Sequence, residues 1–371
     1  MMSQHNISLR RFTLILSFAL LTAFTMKASG QQDACPACDP PAELTRFTYE
    51  DVKMAVPVRI LLYAEDQESV DRAAEAAFAR FDELNDIMSD YSEESEVRRL
   101  CAVAGSGEAM PVSDDLWRVM RCAFELTESS GGTFDPTISP VVRLWRRARR
   151  LKHLPREELM QDALVLVGPE LVRFDEEHQA IELLKQGMRI DLGGIAKGDA
   201  IDQALDVLRE HGINIALIDA GGDVGMGDPP PNRTGWTIGV AALERDDPPS
   251  FYMSLSNCSI ATSGDTWQYV LIDGTRYSHL VDPRTGIGIT DHSNVSVIAP
   301  DAITADGLAS AVSIMGPEEG LELIERTSDT AAYIIRSPDG DAEIYSSSRW
   351  SGYPVVELSS ETDSIPDEDT K

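Results

Sequence analysis

The sequence predicts an α+β fold of mixed sheets with packed helices. Three observations predict it. Strand-like and helical segments intermix without strict βα alternation, which disfavours a doubly wound sheet. Strong helical periodicity is confined to separate stretches. No internal repeat is present.

The N-terminus comes first. Arg10 and Arg11 precede an apolar run, Phe12 to Phe24, and Lys27 is followed by the small residues Ala28-Ser29-Gly30. This run suits the h-region of a signal peptide over 1–30 and is short for a bilayer span. The expectation is export, to a bacterial periplasm. The alternative is a membrane anchor through an uncleaved N-terminus. No later segment approaches the ~18 uninterrupted apolar residues of a spanning helix, so no membrane span is expected in the mature chain. Residues 31–45 read as a linker, carrying Cys35-Pro-Ala-Cys38 among prolines. In an oxidising compartment this pair reads as a local disulfide, with a metal or redox role as the alternative.

The domain expected over 46–350 then unfolds in order. Ala55–Tyr63 is strand-like. Gln67 to Ile87 is a helix, with Val70, Ala73, Ala77, Phe78, Phe81 and Leu84 at helical spacing. Asp114–Ser129 is a second helix with Ser113 as its N-cap. Arg143–Lys152 is a basic cluster, either a solvated helical face or a docking surface for an acidic partner or a nucleotide. Strands are expected at Leu164–Val167, Leu171–Phe174, Ile181–Leu184 and Arg189–Leu192. Ile195–His211 is a helix stopped by Gly212. Strands follow at Ile215–Ala220, Gly235–Ala241, Phe251–Ser256, Cys258–Thr262, Tyr269–Ile272 and Val295–Ala299. Helices at Ala302–Met315 and Glu318–Arg326 precede a last core strand, Ala331–Ile335. The tail within 351–371 is acidic and nearly free of apolar residues, the composition of a disordered segment.

Charge narrows the function. The formal net charge is -30, with 32 basic against 62 acidic residues, so nucleic acid is not an expected partner. Such a chain repels anionic ligands at long range. A phosphate-bearing ligand therefore needs a local remedy: backbone amides, a metal or a placed base.

Four constellations could supply that chemistry. Asp191-Leu-Gly-Gly-Ile-Ala-Lys-Gly198 leads into a helix, where glycine amides, the helix dipole and Lys197 can hold a phosphate. Its glycine spacing matches neither a P-loop nor a dinucleotide fingerprint, and a plain tight turn is the other reading. Asp219-Ala-Gly-Gly-Asp223 closes a strand with glycines, as a ligand contact or a simple turn. Ala261-Thr-Ser-Gly-Asp265 precedes His279-Leu-Val-Asp-Pro-Arg-Thr-Gly286, in which His279 and Asp282 could move a proton or serve only structure. Thr304-Ala-Asp-Gly-Leu-Ala-Ser310 sets Asp306 and Ser310 four apart, on one helical face. A carboxylate with a hydroxyl is hard-oxygen coordination suited to Mg²⁺; a helix cap and a solvated serine are the alternative.

In this order, these blocks resemble the FAD:protein FMN transferase family, known as ApbE. Gly131-Gly-Thr-Phe-Asp-Pro-Thr-Ile138, Leu144-Trp145 and Ile87-Met-Ser-Asp-Tyr91 with Ser95 add to the likeness, which covers roughly residues 50–348. The resemblance implies an α+β catalytic domain with FAD as substrate and Mg²⁺ as cofactor. It implies FAD contacts at Met54, Tyr91, Thr133, Phe134, Asp135, Asp191, Lys197 and His279. It implies metal ligation by the Gly194 carbonyl, Asp306 and Ser310. The acceptor would be a Ser or Thr hydroxyl of an exported target protein, with AMP released and His279 or Asp282 taking the hydroxyl proton. FAD hydrolysis to FMN and AMP, or FAD binding without turnover, are the alternative functions. The chain departs from the family pattern in three places. Met54-Ala55-Val56 stands for Met-Gly-Thr, Ser310 for Thr, and Asp199 for an aromatic or small residue.

Overall fold

The computed structural model describes residues 44–357 except 245, 267 and 339. The expected signal segment 1–30, the Cys35–Cys38 pair and the acidic residues from 358 onward lie outside the described residues. The central element is an eight-stranded sheet, antiparallel throughout, whose strands follow one another in chain order. They are β1 (Thr45–Lys53), β2 (Val56–Ala64), β3 (Ala216–Ala220), β4 (Asp223–Met226), β5 (Cys258–Gly264), β6 (Ser293–Ala299), β7 (Ala331–Arg336) and β8 (Glu343–Ser346). Helices lie in two connections: α1 (Gln67–Met88), α2 (Glu96–Ala102), α3 (Asp114–Ser129), α4 (Ser139–Leu151), α5 (Glu157–Leu164) and α6 (Ala196–Glu210) between β2 and β3, and α7 (Ala302–Met315) and α8 (Pro317–Arg326) between β6 and β7.

Strand alternation divides the core. Val58, Ile60 and Leu62 of β2 join Phe81, Leu84, Ile201 and Val312 of α1, α6 and α7 in the largest cluster. Leu61, between them in sequence, joins Leu217, Ile298 and Tyr333 on the other face. A small sheet of Trp236–Val240, Phe251–Leu255 and Val355–Val356 covers that face. A third cluster sets Val141, Trp145 and Ala148 of α4 against Met160 and Ala163 of α5 and Val270 and Ile272 of a hairpin.

Local signals explain the boundaries. Asp66 caps α1 by accepting from the Ser69 amide at 2.9 Å, and Ser113 caps α3 through the Leu116 amide. Asp301 caps α7, and Gly316 at φ 78° ends it where Pro317 opens α8.

Several expectations are corrected. Leu164–Val167 is the end of α5 and a turn, because Met160 and Ala163 bury a helical stripe. Arg189–Leu192 forms no strand; its amides at Ile190 and Asp191 go to Cys101 Sγ and the Pro136 carbonyl instead of a ladder. The linker ends earlier than 45, since Thr45 already pairs with Ala64. Val355 pairs with Met253, so the fold continues past residue 350. Among the described residues no helix is long and apolar enough to cross a membrane.

Candidate active site

The Asp191–Gly198 segment enters α6 without a side-chain cap, since Ile195 holds the N-cap position. Asp191 steadies the turn by accepting from the Gly193 amide at 2.9 Å. A Cβ on Gly194 would lie 3.1 Å from Phe134 Cε2 and from Ser310 Oγ, so this glycine packs directly between them. One turn on, the Gly198 amide donates to Asp306 Oδ2 at 3.1 Å.

Lys197 joins two carboxylates. Its Nζ pairs with Asp223 and lies 3.5 Å from both oxygens of Asp306. Asp223 opens β4 just after the Gly221-Gly222 turn and accepts from the Thr262 amide at 3.2 Å. Burial pulls the Lys197 ammonium down, but Asp306 and Asp223 raise it above its ordinary range. Burial, opposed by Lys197, holds Asp306 above the usual carboxylate range.

One ammonium between two buried carboxylates leaves a net negative charge, and Ser310 adds a buried hydroxyl one helical turn from Asp306. Among the described residues no three His, Cys, Asp or Glu side chains gather as a metal cage. A hard cation that keeps waters and substrate phosphates needs no such cage, and the mixed oxygen set of Asp306, Ser310 and the adjoining Gly194 fits it.

A second group gathers around Arg146 of α4. Its guanidinium reaches Asp90 at 2.5 Å and Asp191 at 3.1 Å, and lies 4.6 Å from the centre of the Tyr91 ring. Tyr91 is 77% exposed, an unusual state for a large aromatic side chain. Burial and Asp90 hold Asp191 above the usual carboxylate range, with Arg146 opposing them.

Among Thr133, Phe134 and Asp135, it is Phe134 that packs against the Gly194 turn. Thr133 donates to the Ser130 carbonyl at 3.0 Å, and Asp135 accepts from the Thr137 amide and hydroxyl at 2.8 and 2.6 Å. Both side chains are thus engaged in their own turn. Met54 sits in the two-residue turn between β1 and β2, at φ 48°.

His279 and Asp282 occupy different settings. Gln268 O lies 3.2 Å from His279 Nδ1 and accepts from the His279 amide at 3.0 Å. A carbonyl only accepts, so Nδ1 carries the hydrogen and Nε2 keeps its lone pair. Burial, with Arg149 and Lys197 nearby, pushes His279 down to about 4, so the ring is neutral at pH 7. Asp282 binds its own turn: Arg284 contacts both of its oxygens at 2.9–3.2 Å, and its Oδ1 accepts from the Arg284 amide at 2.9 Å.

Three charged residues near these candidates have no role of their own expected from the sequence: Asp223, Asp265 and Arg146. Asp223 and Asp265 each close a glycine-containing motif, which is the signal that could have singled them out. Asp265 is 2% exposed; it pairs with Arg276, faces His292 Nδ1 at 2.6 Å, and anchors the loop that carries Gln268. Arg146 follows directly after Leu144-Trp145, inside the basic run.

Known proteins share this arrangement of elements. Residues 54–335 match the model of the ApbE family. The chain is 28% identical to a Treponema pallidum protein named FAD:protein FMN transferase, over 81% of this chain and 87% of that one. It is 30% identical to a Vibrio cholerae protein of the same name, over 72% of this chain and 80% of that one. The solved flavin transferase ApbE from Vibrio cholerae superposes with a TM-score of 0.74 at 26% identity, covering 85% of this chain and 100% of that one. The ApbE protein from Thermotoga maritima gives a TM-score of 0.74 at 28% identity, with 83% and 99% covered. The glycine turn into α6, the Lys197-bridged carboxylates and the neutral His279 therefore stand in a chain that belongs to the ApbE family.

Proposed function

We propose that the protein transfers the FMN half of FAD to a Ser or Thr hydroxyl of an exported target protein. The observation that carries this reading is the meeting of Lys197, Gly198 and Asp306 beside Gly194 and Ser310. It brings the ammonium at the start of α6 against the hard oxygens of Asp306 and Ser310 on α7, a net negative cluster that suits a divalent cation, which would supply the positive charge that phosphates need in so acidic a chain. In the transfer, the acceptor oxygen bonds to the flavin-side phosphorus, the bond to the bridging oxygen breaks, and AMP leaves. Such a step asks mainly for placement and charge neutralisation. Asp306, Ser310 and the Gly194 carbonyl would hold Mg²⁺, which when bound supplies Lewis-acid charge stabilisation at the pyrophosphate. Lys197, held by Asp223 and Asp306, would add its charge to that of the metal beside the phosphates; exposed Tyr91, steadied by Arg146, would offer a face to the flavin, and buried Phe134 backs the Gly194 turn. His279 Nε2 accepts the hydroxyl proton; the Arg284 grip on Asp282 favours His279 over that carboxylate. Export to a bacterial periplasm, expected from residues 1–30, would place the enzyme with its target.

The test incubates the full chain with FAD and a domain bearing an acceptor Thr, with and without Mg²⁺, beside Asp306→Ala. AMP release with an FMN-sized mass on the acceptor, lost without metal and in the variant, is the expected result. Free FMN and AMP without an adduct would make the protein a hydrolase. FAD left bound and unchanged would make it a flavin carrier.

A further inference from the structure

Helix α4 carries five arginines and no acidic residue, in a chain with 62 acids against 32 bases. Its faces are distinct. Val141, Trp145 and Ala148 are buried in the third core cluster. Arg146 and Arg149 turn toward the site: Arg146 binds Asp90 and Asp191, and Arg149 lies 3.3 Å from the Gln268 side chain. Arg143, Arg147 and Arg150 recur at i, i+4 and i+7 on the side away from the buried stripe, all exposed. Lys152 extends this line, with exposed Leu151 and Leu154 beside it. These four cations have no carboxylate partner among the described residues, although exposed Glu157 and Glu158 follow in sequence.

We infer that the outer face of α4 docks an acidic segment of the acceptor protein, next to the hydroxyl that receives the flavin. The inference rests on the transferase reading, which requires a second protein to come up to this site. Unpaired arginines clustered on an otherwise acidic surface are the complement of an acidic partner, and they steer its approach. The net charge of -30 disfavours an anionic membrane as the occupant. On the transferase reading the phosphates of FAD lie inside the site by Lys197 and the metal, which leaves the outer arginines to a protein.

The test measures fluorescence anisotropy of two labelled peptides with the full-length chain. Each peptide bears one Thr, flanked in one by Asp and Glu and in the other by Gln. The acidic peptide is expected to bind about tenfold tighter at low salt, the sum of several exposed ion pairs. The preference should disappear at ~0.5 M salt and in the triple variant Arg143→Gln/Arg147→Gln/Arg150→Gln. The triple Arg→Lys variant should keep it, and flavin fluorescence should show FAD binding unchanged in both. Equal affinity for the two peptides, or a preference that survives the Gln variant, would overturn the inference. Displacement of the acidic peptide by AMP would assign the face to nucleotide and overturn it as well. Adduct formation is scored separately on the same peptides. A binding preference without any adduct would leave the docking face standing and remove the transferase reading.

Discussion

The Gly198 amide donates to Asp306 Oδ2 at 3.1 Å, joining the first turn of α6 to α7 through the backbone of one and a carboxylate of the other. This contact depends on a close approach. A Cβ on Gly198 would lie 2.2 Å from Ala302 O and 2.7 Å from Ile303 Cα, both backbone atoms that cannot rotate away. Gly198→Ala should therefore push α6 off α7, at a cost of about 1–3 kcal/mol, and separate Lys197 from Asp306. Thermal unfolding and turnover of FAD check this together; an unchanged melting point would contradict the close packing.

Arg146 is the next point of leverage. It bridges Asp90 and Asp191, and its removal leaves two carboxylates facing each other without a cation. With Arg146 half-buried, Arg146→Met should cost about 1–2 kcal/mol, less than a fully buried pair would. Adding Asp90→Asn should recover part of the loss, because Asp191 then has no charged neighbour. A double-mutant cycle in urea reads the recovery, and strict additivity of the two losses would show that the bridge contributes nothing.

The histidine makes a pH prediction. Burial lowers His279 from its ordinary 6.5 to about 4, so the unfolded chain takes up a proton at this residue before the folded chain does. Its contribution to stability is complete above pH 6.5 and is lost as pH falls toward 4. His279→Gln should lose less stability than the parent over that window. Proton NMR should show no titration of the His279 ring signal near pH 6.5. A signal that titrates there would mean the ring is solvated and charged.

The fold was legible where one physical signal dominated. The α7 boundaries follow from Asp301 and Gly316, and β3 from its apolar run closed by Gly221-Gly222. β1 was illegible because charged residues interrupt its alternation; its order comes from pairing with β2 and from Tyr49 donating to Asp71 at 2.6 Å. Arg189–Leu192 has strand composition but no neighbouring strand edge, a property of the tertiary structure alone. In the site, the Lys197 and Asp306 blocks were legible as motifs. The ion pairs of Arg146 were not, because they join positions 45 and 56 residues apart, and that of Asp265 with Arg276 depends on how the intervening loop folds back.

Asp199, where the family pattern has an aromatic or small residue, is 2% exposed and carries a carboxylate into the helical layer. Arg118 of α3 compensates, with Nε and Nη2 each 3.0 Å from one of its oxygens. The two halves of this pair are not equivalent. Arg118→Ala strands a buried carboxylate and should cost about 3 kcal/mol. Asp199→Ala leaves a half-exposed guanidinium still paired with Asp115 at 2.9 Å and should cost about 1 kcal/mol. The double variant should be no less stable than Arg118→Ala alone. Denaturant midpoints of the three chains decide it, and equal single losses would mean that Asp199 is neutral in the folded protein.

Ala55 is the other departure with a structural consequence. Lys53 pairs with Val56, so Met54 and Ala55 form a two-residue hairpin turn, at φ 48° and 64°. Positive φ at both positions is the turn whose twist matches the flanking strands, and glycine enters it without the clash a Cβ makes. An L-residue there gives up about 1–2 kcal/mol. Ala55→Gly removes that strain but adds freedom to the unfolded chain, which returns part of the gain. The net expectation is a stabilisation of about 0.5–1 kcal/mol. Gly221 on the adjoining turn should be undisturbed, since its amide donates to the Pro57 carbonyl at 3.0 Å, outside the substituted turn. FAD affinity through Met54 should hold steady or improve as the turn relaxes. A melting point raised by the substitution, with flavin binding retained, would trace the departure to backbone geometry rather than to the flavin site; a lowered one would mean that Ala55 does not occupy the left-handed region.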